Sequence, residues 1–382
     1  MTQKKKNTNT ETHLQKFDTQ SQHILRDWFS RRSLAKSTQK VYAINLKQWT
    51  NYHKTTPYQI YKKAFKEQQE EIPETLRYLT RIILDYKYFL DNSNYSQTTK
   101  YLKLKVITSF CQAFQLETPN IRIKRPICEE KNYERPITRE ELLLMLNSSP
   151  LREQAFLGIQ ATTGMGSQEV RTLQIHHILT SINNECQSNY HTLQQVITNK
   201  EEILKHKIFE FNITRRKVNY RYITYTTSDT MERILRYLEY RMNTGGHIHL
   251  EDGNPHNYVF VTHHGEPMDQ KAVTGMYRVM GEKVGFQSQP FTYRFWRSHN
   301  IRKYFYNIVE DVVGSEYADE WLGHVPSSVT RAYARREFRM RNAYMKCLPY
   351  LSLANVVERG SERVERKIKL LEEELENLKS NF

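Results

Sequence analysis

Residues 291–336 read FTYRFWRSHNIRKYFYNIVEDVVGSEYADEWLGHVPSSVTRAYARR, and four polar positions carry their meaning: His299, Arg302, His324 and Tyr333. His299 and Arg302 are three apart, so a helix puts them on one face. Gly323 suits a helix stop, Pro326 keeps the next turn non-helical, and Ser327 or Ser328 can cap the helix that follows. His324 therefore sits on a turn, and Tyr333 lies in the first turns of that next helix. Glu310, Asp311, Glu316, Asp319 and Glu320 fall between these positions and read as a solvated helix face rather than as metal ligands.

The order His-x-x-Arg, Leu-Gly-His and then Tyr after eight intervening residues resembles the C-terminal boxes of the tyrosine recombinases, the integrase family. Each residue alone says little: Tyr333 is one of 25 tyrosines, and a histidine before a helix is commonly a hydrogen-bonded structural residue. Their joint order and spacing carry the resemblance. It implies site-specific breakage and rejoining of DNA through a 3′-phosphotyrosyl intermediate, on a tetramer holding two DNA sites. Neither metal, ATP nor any other cofactor is expected. The residue types suit that chemistry. Attack on a phosphodiester pushes charge onto the non-bridging oxygens, and a planar guanidinium such as that of Arg302 meets two of them at once. Preset donors meet the charge without reorganising. A phenol, that of Tyr333, can hold the phosphoryl group as an ester, while His299 and His324 hydrogen-bond or shuttle protons.

A second box departs from the family. In TTGMGSQEVRTLQ, residues 162–174, the family pattern Thr-Gly-Leu-Arg-x-x-Glu-Leu places its first catalytic arginine where Gly166 stands, while Glu169 matches the family's Glu. The variant resembles archaeal integrases. The nearest arginine is Arg171. Gly164 and Gly166 permit a non-helical start, and a helix beginning after Ser167 brings Arg171 near its first turn, from which its side chain can reach back toward the phosphate. Pairing of Arg171 with a surface carboxylate is the competing reading. Gly166 is also what favours a rival function, a DNA-binding protein with a decayed site; a type IB topoisomerase is the rival enzyme.

Residues 207–226, KIFEFNITRRKVNYRYITYT, alternate and are rich in β-formers, which predicts a hairpin with Val218-Asn219 near its tip. Lys217 sits by that turn. In the family, a lysine on such a hairpin reaches the minor groove and protonates the leaving 5′ oxygen. Arg215 and Arg216 compete for attention there, and a basic tip that only grips phosphate is the alternative.

Composition agrees with a polyanionic partner. The chain has 57 Lys and Arg against 42 acidic residues, a net charge of +15 and a pI near 9.4, with 12% aromatic residues, too many for a disordered basic tail. Double-stranded DNA is the expected partner. Cys111, Cys128, Cys186 and Cys347 are scattered and form no C-x-x-C pair, so they read as reduced thiols. No run is apolar enough to span a bilayer and no signal-peptide core is present, so no membrane is expected and a cytoplasmic, nucleoid-associated location is.

Taken in order, residues 1–20 read as a polar, disordered arm. Residues 21–118 hold several helical periods. In one, Ser37 or Thr38 caps a run with Tyr42, Leu46, Trp49 and Tyr52; in another, Leu76, Leu79, Ile83, Tyr86 and Leu90 follow Pro73. A third opens at Thr98 and buries Ile107, Phe110, Cys111 and Phe114, with Lys100, Lys103 and Lys105 on its exposed, DNA-facing side. This bundle resembles the core-binding domain of the family. Residues 119–135 form a linker bracketed by prolines, where Arg122, Lys124 and Arg125 either contact phosphate or stay solvated. A catalytic domain follows over 136–350, opened by a Thr138/Glu141 capping box, with a helix over Thr230 to Met242 and a short buried strand at YVFVT, 258–262. A helix carrying Val273, Tyr277, Met280 and Val284 is stopped by Gly285. Over 351–382, Val364, Ile368, Leu371, Leu375 and Leu378 step by 4, 3, 4, 3, a heptad seam that needs a partner, either the chain's own domain or another subunit. The predicted fold is mainly α with a small antiparallel sheet, an α+β chain in two domains that closes on DNA as a C-shaped clamp.

Overall fold

A computed structural model describes residues 13–123, 135–244, 257–287, 293–324 and 337–354. Two compact units divide the chain, Met1–Lys131 and Asn132–Phe382. Tyr333, Pro326, Ser327, Ser328, Cys128, Lys124, Arg125, residues 1–12 of the expected arm and the heptad seam lie outside the described residues. The rest of the arm holds a short 3-10 helix at Leu14–Lys16 and the start of a longer helix at Thr19.

The first unit is a helical bundle: α1 (Thr19–Arg31), α2 (Lys36–Tyr52), α3 (Pro57–Gln69), α4 (Tyr78–Asp91) and α5 (Gln97–Ala113). Local chemistry sets most starts. Asp18 caps α1, Ser96 caps α5, and Thr56 with Gln59 forms a full capping box ahead of Pro57 at the first position of α3. The helix α2 instead starts at Lys36 without a side-chain cap, so neither Ser37 nor Thr38 serves as one, and Ser96 rather than Thr98 opens α5. The apolar faces meet in one core around Trp28, Leu46, Trp49, Ile83, Leu90 and Phe110. Trp28 stands edge-on to Phe110, with centroids 5.3–5.6 Å from Phe29, Phe110 and Tyr42, and its indole N–H donates to Ser109 Oγ at 3.3 Å. Leu76 and Tyr52, expected in the core, are exposed.

The expected basic face of α5 needs one correction. Lys103 is only 4% exposed; its ammonium donates to Gln48 Oε1 and lies 4.8 Å from the Tyr95 ring centroid. It occurs one turn before Ile107, on the buried face, and burial lowers its pKa. Lys100 is half-buried and donates to Asp91 O at 3.0 Å. Lys105 and Arg122 are exposed.

The second unit is built round α7 (Leu151–Thr163), which is buried on nearly all sides from Ala155 to Thr163. It is preceded by α6 (Arg139–Asn147), opened by the Thr138/Glu141 capping box. After it come α8 (Ser167–Arg171), α9 (Ile175–Cys186), α10 (Leu193–Thr198) and α11 (Lys200–Ile203). The hairpin β1 (Ile208–Arg215) and β2 (Tyr220–Thr227) is antiparallel, pairing Ile213 with Tyr222 and Arg215 with Tyr220. Its turn is closed by Asn219 at φ +50°, a conformation asparagine tolerates. Then follow α12 (Ser228–Asn243), α13 (Gln270–Lys283), α14 (Ser298–Val313), α15 (Ser315–Trp321) and α16 (Glu337–Leu351).

YVFVT does not form a strand. Val259, Phe260 and Val261 are buried, but the segment makes only single bridges, Gln174 with Tyr258 and Val261 with Pro267. Arg241 supplies part of what a second strand would, donating to Tyr258 O and Val259 O at 2.8 and 2.9 Å. Beyond Cys347, residues 352–354 are clamped: Arg233 donates to Leu353 O at 3.0 Å, Arg139 to Ser352 O at 3.0 Å, and Leu353 N–H to Asp229 at 2.9 Å. Tyr344 ties α16 to the central helix through Thr162 O at 2.7 Å.

Candidate active site

Where α7 ends, Gly164 adopts φ +67°, and its N–H closes the helix on Gln160 O at 3.1 Å. The chain then extends through Gly166 and re-enters a helix at Ser167, the non-helical start expected of the two glycines. A cleft of about 910 Å³ opens beside this turn. Gly166 to Glu169 form one side of it and the hairpin residues Arg215 and Lys217 another. The segment from Tyr293 to Arg302, helix α13 and His324 supply the rest. His299, Arg302, His324 and Lys217, far apart in sequence, therefore share one cavity.

Arg302 is the most enclosed of these. Its guanidinium donates to Gly164 O and, at 2.6 Å, to Leu322 O, tying the turn after α7 to the turn before His324. Burial lowers its pKa, though a guanidinium stays charged at neutral pH. The Tyr222 phenol lies beside it, and burial, reinforced by the Glu169 carboxylate, pushes that phenol well above its ordinary value, keeping it neutral. Tyr222 also packs under the Leu-Gly-His turn. Gly323 has φ +62°, and a Cβ there would come within 2.6 Å of Tyr222 Cδ1. Only glycine fits both conditions.

His324 is held by its neighbour one turn back. Its N–H donates to Asp319 O at 2.9 Å, and Nδ1 meets Asp319 Oδ1 at 2.6 Å. A carboxylate accepts, so Nδ1 carries the proton and Nε2 is the ring nitrogen that can meet a ligand. Asp319 is thus more than part of a solvated face. His299 is exposed at the start of α14, whose N-terminus opens into the cleft and favours negative charge there. Beneath it, Gln160 Nε2 donates to Ser298 Oγ at 2.8 Å and to Met165 O at 3.0 Å, while Tyr277 donates to Gln160 Oε1 at 2.6 Å.

Arg171 is not in the cleft. It ends α8, and its Nη1 donates to Met268 O at 3.3 Å. The side chain, five residues past Gly166, is rotated by roughly 140° on a helix, and a backbone carbonyl on that side captures it. Arg216 is exposed and does not line the cavity either; its charge reaches His177 instead. Among the lining residues not singled out from the sequence are Arg294, Arg297 and Gln160. Arg297 stacks on Tyr293 at 4.1 Å. The run RFWRSH ahead of His299 is the signal that points to the two arginines; nothing in the sequence marks Gln160.

The model for the phage integrase family matches residues 136–340, more than half of the chain. The chain belongs to the phage integrase family. Its activity is that of a tyrosine recombinase, a DNA strand-transfer enzyme, as the two C-terminal boxes implied. The family's relatives agree. The chain is 24% identical over 327 residues to tyrosine recombinase XerD of Halalkalibacterium halodurans, covering 82% of this chain and 92% of that one. Its fold is similar to that of XerH site-specific recombinase bound to a difH substrate in a pre-cleavage complex. There the TM-score is 0.50 at 14% identity, over 88% of this chain and 89% of that one. The post-cleavage complex on a palindromic difH substrate gives 0.50 at 15% identity, over 87% and 95%. The recombinase fold, mainly α with one small antiparallel sheet, is as predicted. Among the described residues, no helix is long and apolar enough to cross a membrane.

Proposed function

We propose that this recombinase cleaves DNA with Tyr333 as nucleophile in the cleft lined by His299, Arg302, His324 and Lys217. The Tyr333 oxygen forms a bond to the scissile phosphorus as its phenolic proton passes to His324 Nε2. The bond from phosphorus to the 5′ oxygen breaks, and Lys217 supplies the proton that the leaving oxygen takes up. Arg302 holds non-bridging oxygen. The observation that carries this reading is the convergence of those four side chains on one cavity. Arg171 has no part in it, because its guanidinium is turned onto Met268 O.

Duplex DNA is the substrate. Residues 21–118, within the first unit, serve as the core-binding domain, and 119–135 as the linker to a catalytic domain over 136–350. Lys105 and Arg122 are exposed and suited to phosphate; Lys124 and Arg125 are proposed for the same work on sequence grounds. The protein works as a tetramer on two DNA sites, in the compartment that holds the nucleoid, and the segment over 351–382 serves its assembly. A nicked suicide substrate tests the reading. The parent should become covalently joined to DNA, and Tyr333→Phe should bind the same DNA and give no adduct. An adduct in Tyr333→Phe, or none in the parent, contradicts it.

A further inference from the structure

Two guanidiniums hang from the same turn. Arg302 donates to Leu322 O at 2.6 Å and Arg215 donates to Gly323 O at 2.9 Å, so consecutive carbonyls anchor them side by side. The two are near enough that the Arg215 charge acts on Arg302. Both line the cleft. Each guanidinium has five N–H donors, and the Gly323 contact engages one N–H of Arg215. No ion pair to a carboxylate is found for Arg215 among the described residues.

Where the family's arginine would stand, Gly166 supplies no cation. Gly166 has no side chain; a Cβ there would face Arg302 Nη1 at 3.8 Å and meet Glu169 Oε2. A carboxylate, which repels phosphate, occupies that space. Arg171 is turned away, and Arg297 is stacked on Tyr293 at 4.1 Å. Two like charges held together without an anion repel each other, and an anion bridging them removes that penalty.

We propose that Arg215 is the second phosphate-holding guanidinium of this site: it takes one non-bridging oxygen of the scissile phosphate while Arg302 takes the other. The strand β1 delivers it from the hairpin wall, two residues before Lys217, so one element carries both the clamp and the proton donor. This assignment rests on the recombinase reading above. It gives the hairpin a catalytic residue beyond Lys217 and gives a cleft with Gly166 in it a second phosphate-holding guanidinium.

The test measures single-turnover adduct formation by the full chain on nicked duplex DNA, with an ordinary phosphate or a methylphosphonate at the scissile position. The methyl group replaces one charged oxygen, so one guanidinium loses its ligand. On phosphate, Arg215→Ala should slow adduct formation on the order of a hundredfold or more, with DNA affinity changed by no more than a few-fold. On methylphosphonate, Arg215→Ala and the parent should react within a few-fold of each other. Adding Gly166→Arg to Arg215→Ala should recover at least about tenfold on phosphate, since that side chain starts beside Arg302 Nη1. Equal rates for Arg215→Ala and parent on phosphate overturn the proposal. So does equal loss on both substrates with a lowered Tm, which marks a purely structural role in holding Gly323. A parent that forms no adduct at all overturns the recombinase reading itself, and this proposal with it.

Discussion

His324 turns its Nδ1 onto Asp319 Oδ1 at 2.6 Å, while its own backbone N–H bonds the Asp319 carbonyl at 2.9 Å. Residue 319 therefore fixes both the position and the tautomer of the histidine from the last turn of α15. Orienting partners of this kind commonly matter by about 10- to 100-fold. Asp319→Asn keeps the backbone contact and offers an amide in place of the carboxylate, so it should bind DNA normally and form the covalent adduct about tenfold more slowly. Adduct rates equal to the parent's would mean that His324 needs no orientation from Asp319.

Gly323→Ala should be destabilising on two counts. A left-handed backbone costs a residue with a Cβ about 1–2 kcal/mol, and that Cβ would press on Tyr222 Cδ1 at 2.6 Å. Urea unfolding should show a loss of at least that size, with adduct formation reduced because His324 and the anchor of Arg215 move together. A variant within about 0.3 kcal/mol of the parent would show that the turn re-forms elsewhere.

His177 sets a pH dependence. Burial, then the neighbouring His176, lowers its pKa from 6.5 to about 4 in the folded chain. The unfolded chain binds the proton more readily, so the stability linked to this residue is fully present above pH 6.5. It is lost progressively as the pH falls toward about 4. The parent should lose more Tm than His177→Gln on going from about pH 7 to about pH 5. Parallel Tm curves for the two proteins would rule this out.

Lys103 and Lys105 should part company. With its ammonium on Gln48 and Tyr95, Lys103 is a core residue, and Lys103→Met should leave DNA affinity and its salt dependence unchanged. Lys105 is exposed; if it meets a phosphate, Lys105→Ala reduces the slope of log affinity against log salt by about 0.9. A salt slope altered by Lys103→Met and untouched by Lys105→Ala would reverse the two assignments.

Local chemistry was enough to read the elements and the family from the sequence. The 3.6-residue spacing of Leu46 and Trp49, the Thr138/Glu141 box, the alternation through Phe209, Phe211 and Ile213, and the order His299, Arg302, His324, Tyr333 all act over short spans, where propensity and spacing are legible. What required the tertiary structure depends on partners far away in sequence. Lys103 became a buried cation because Gln48 lies across the bundle. YVFVT meets Gln174 and Pro267 only at single bridges, while Arg241 takes two of its carbonyls. The settings of Arg171 and Arg215 differ for the same reason. Met268 O turns the first out of the cleft and Gly323 O holds the second in it, and no sequence interval encodes which carbonyl a guanidinium will meet.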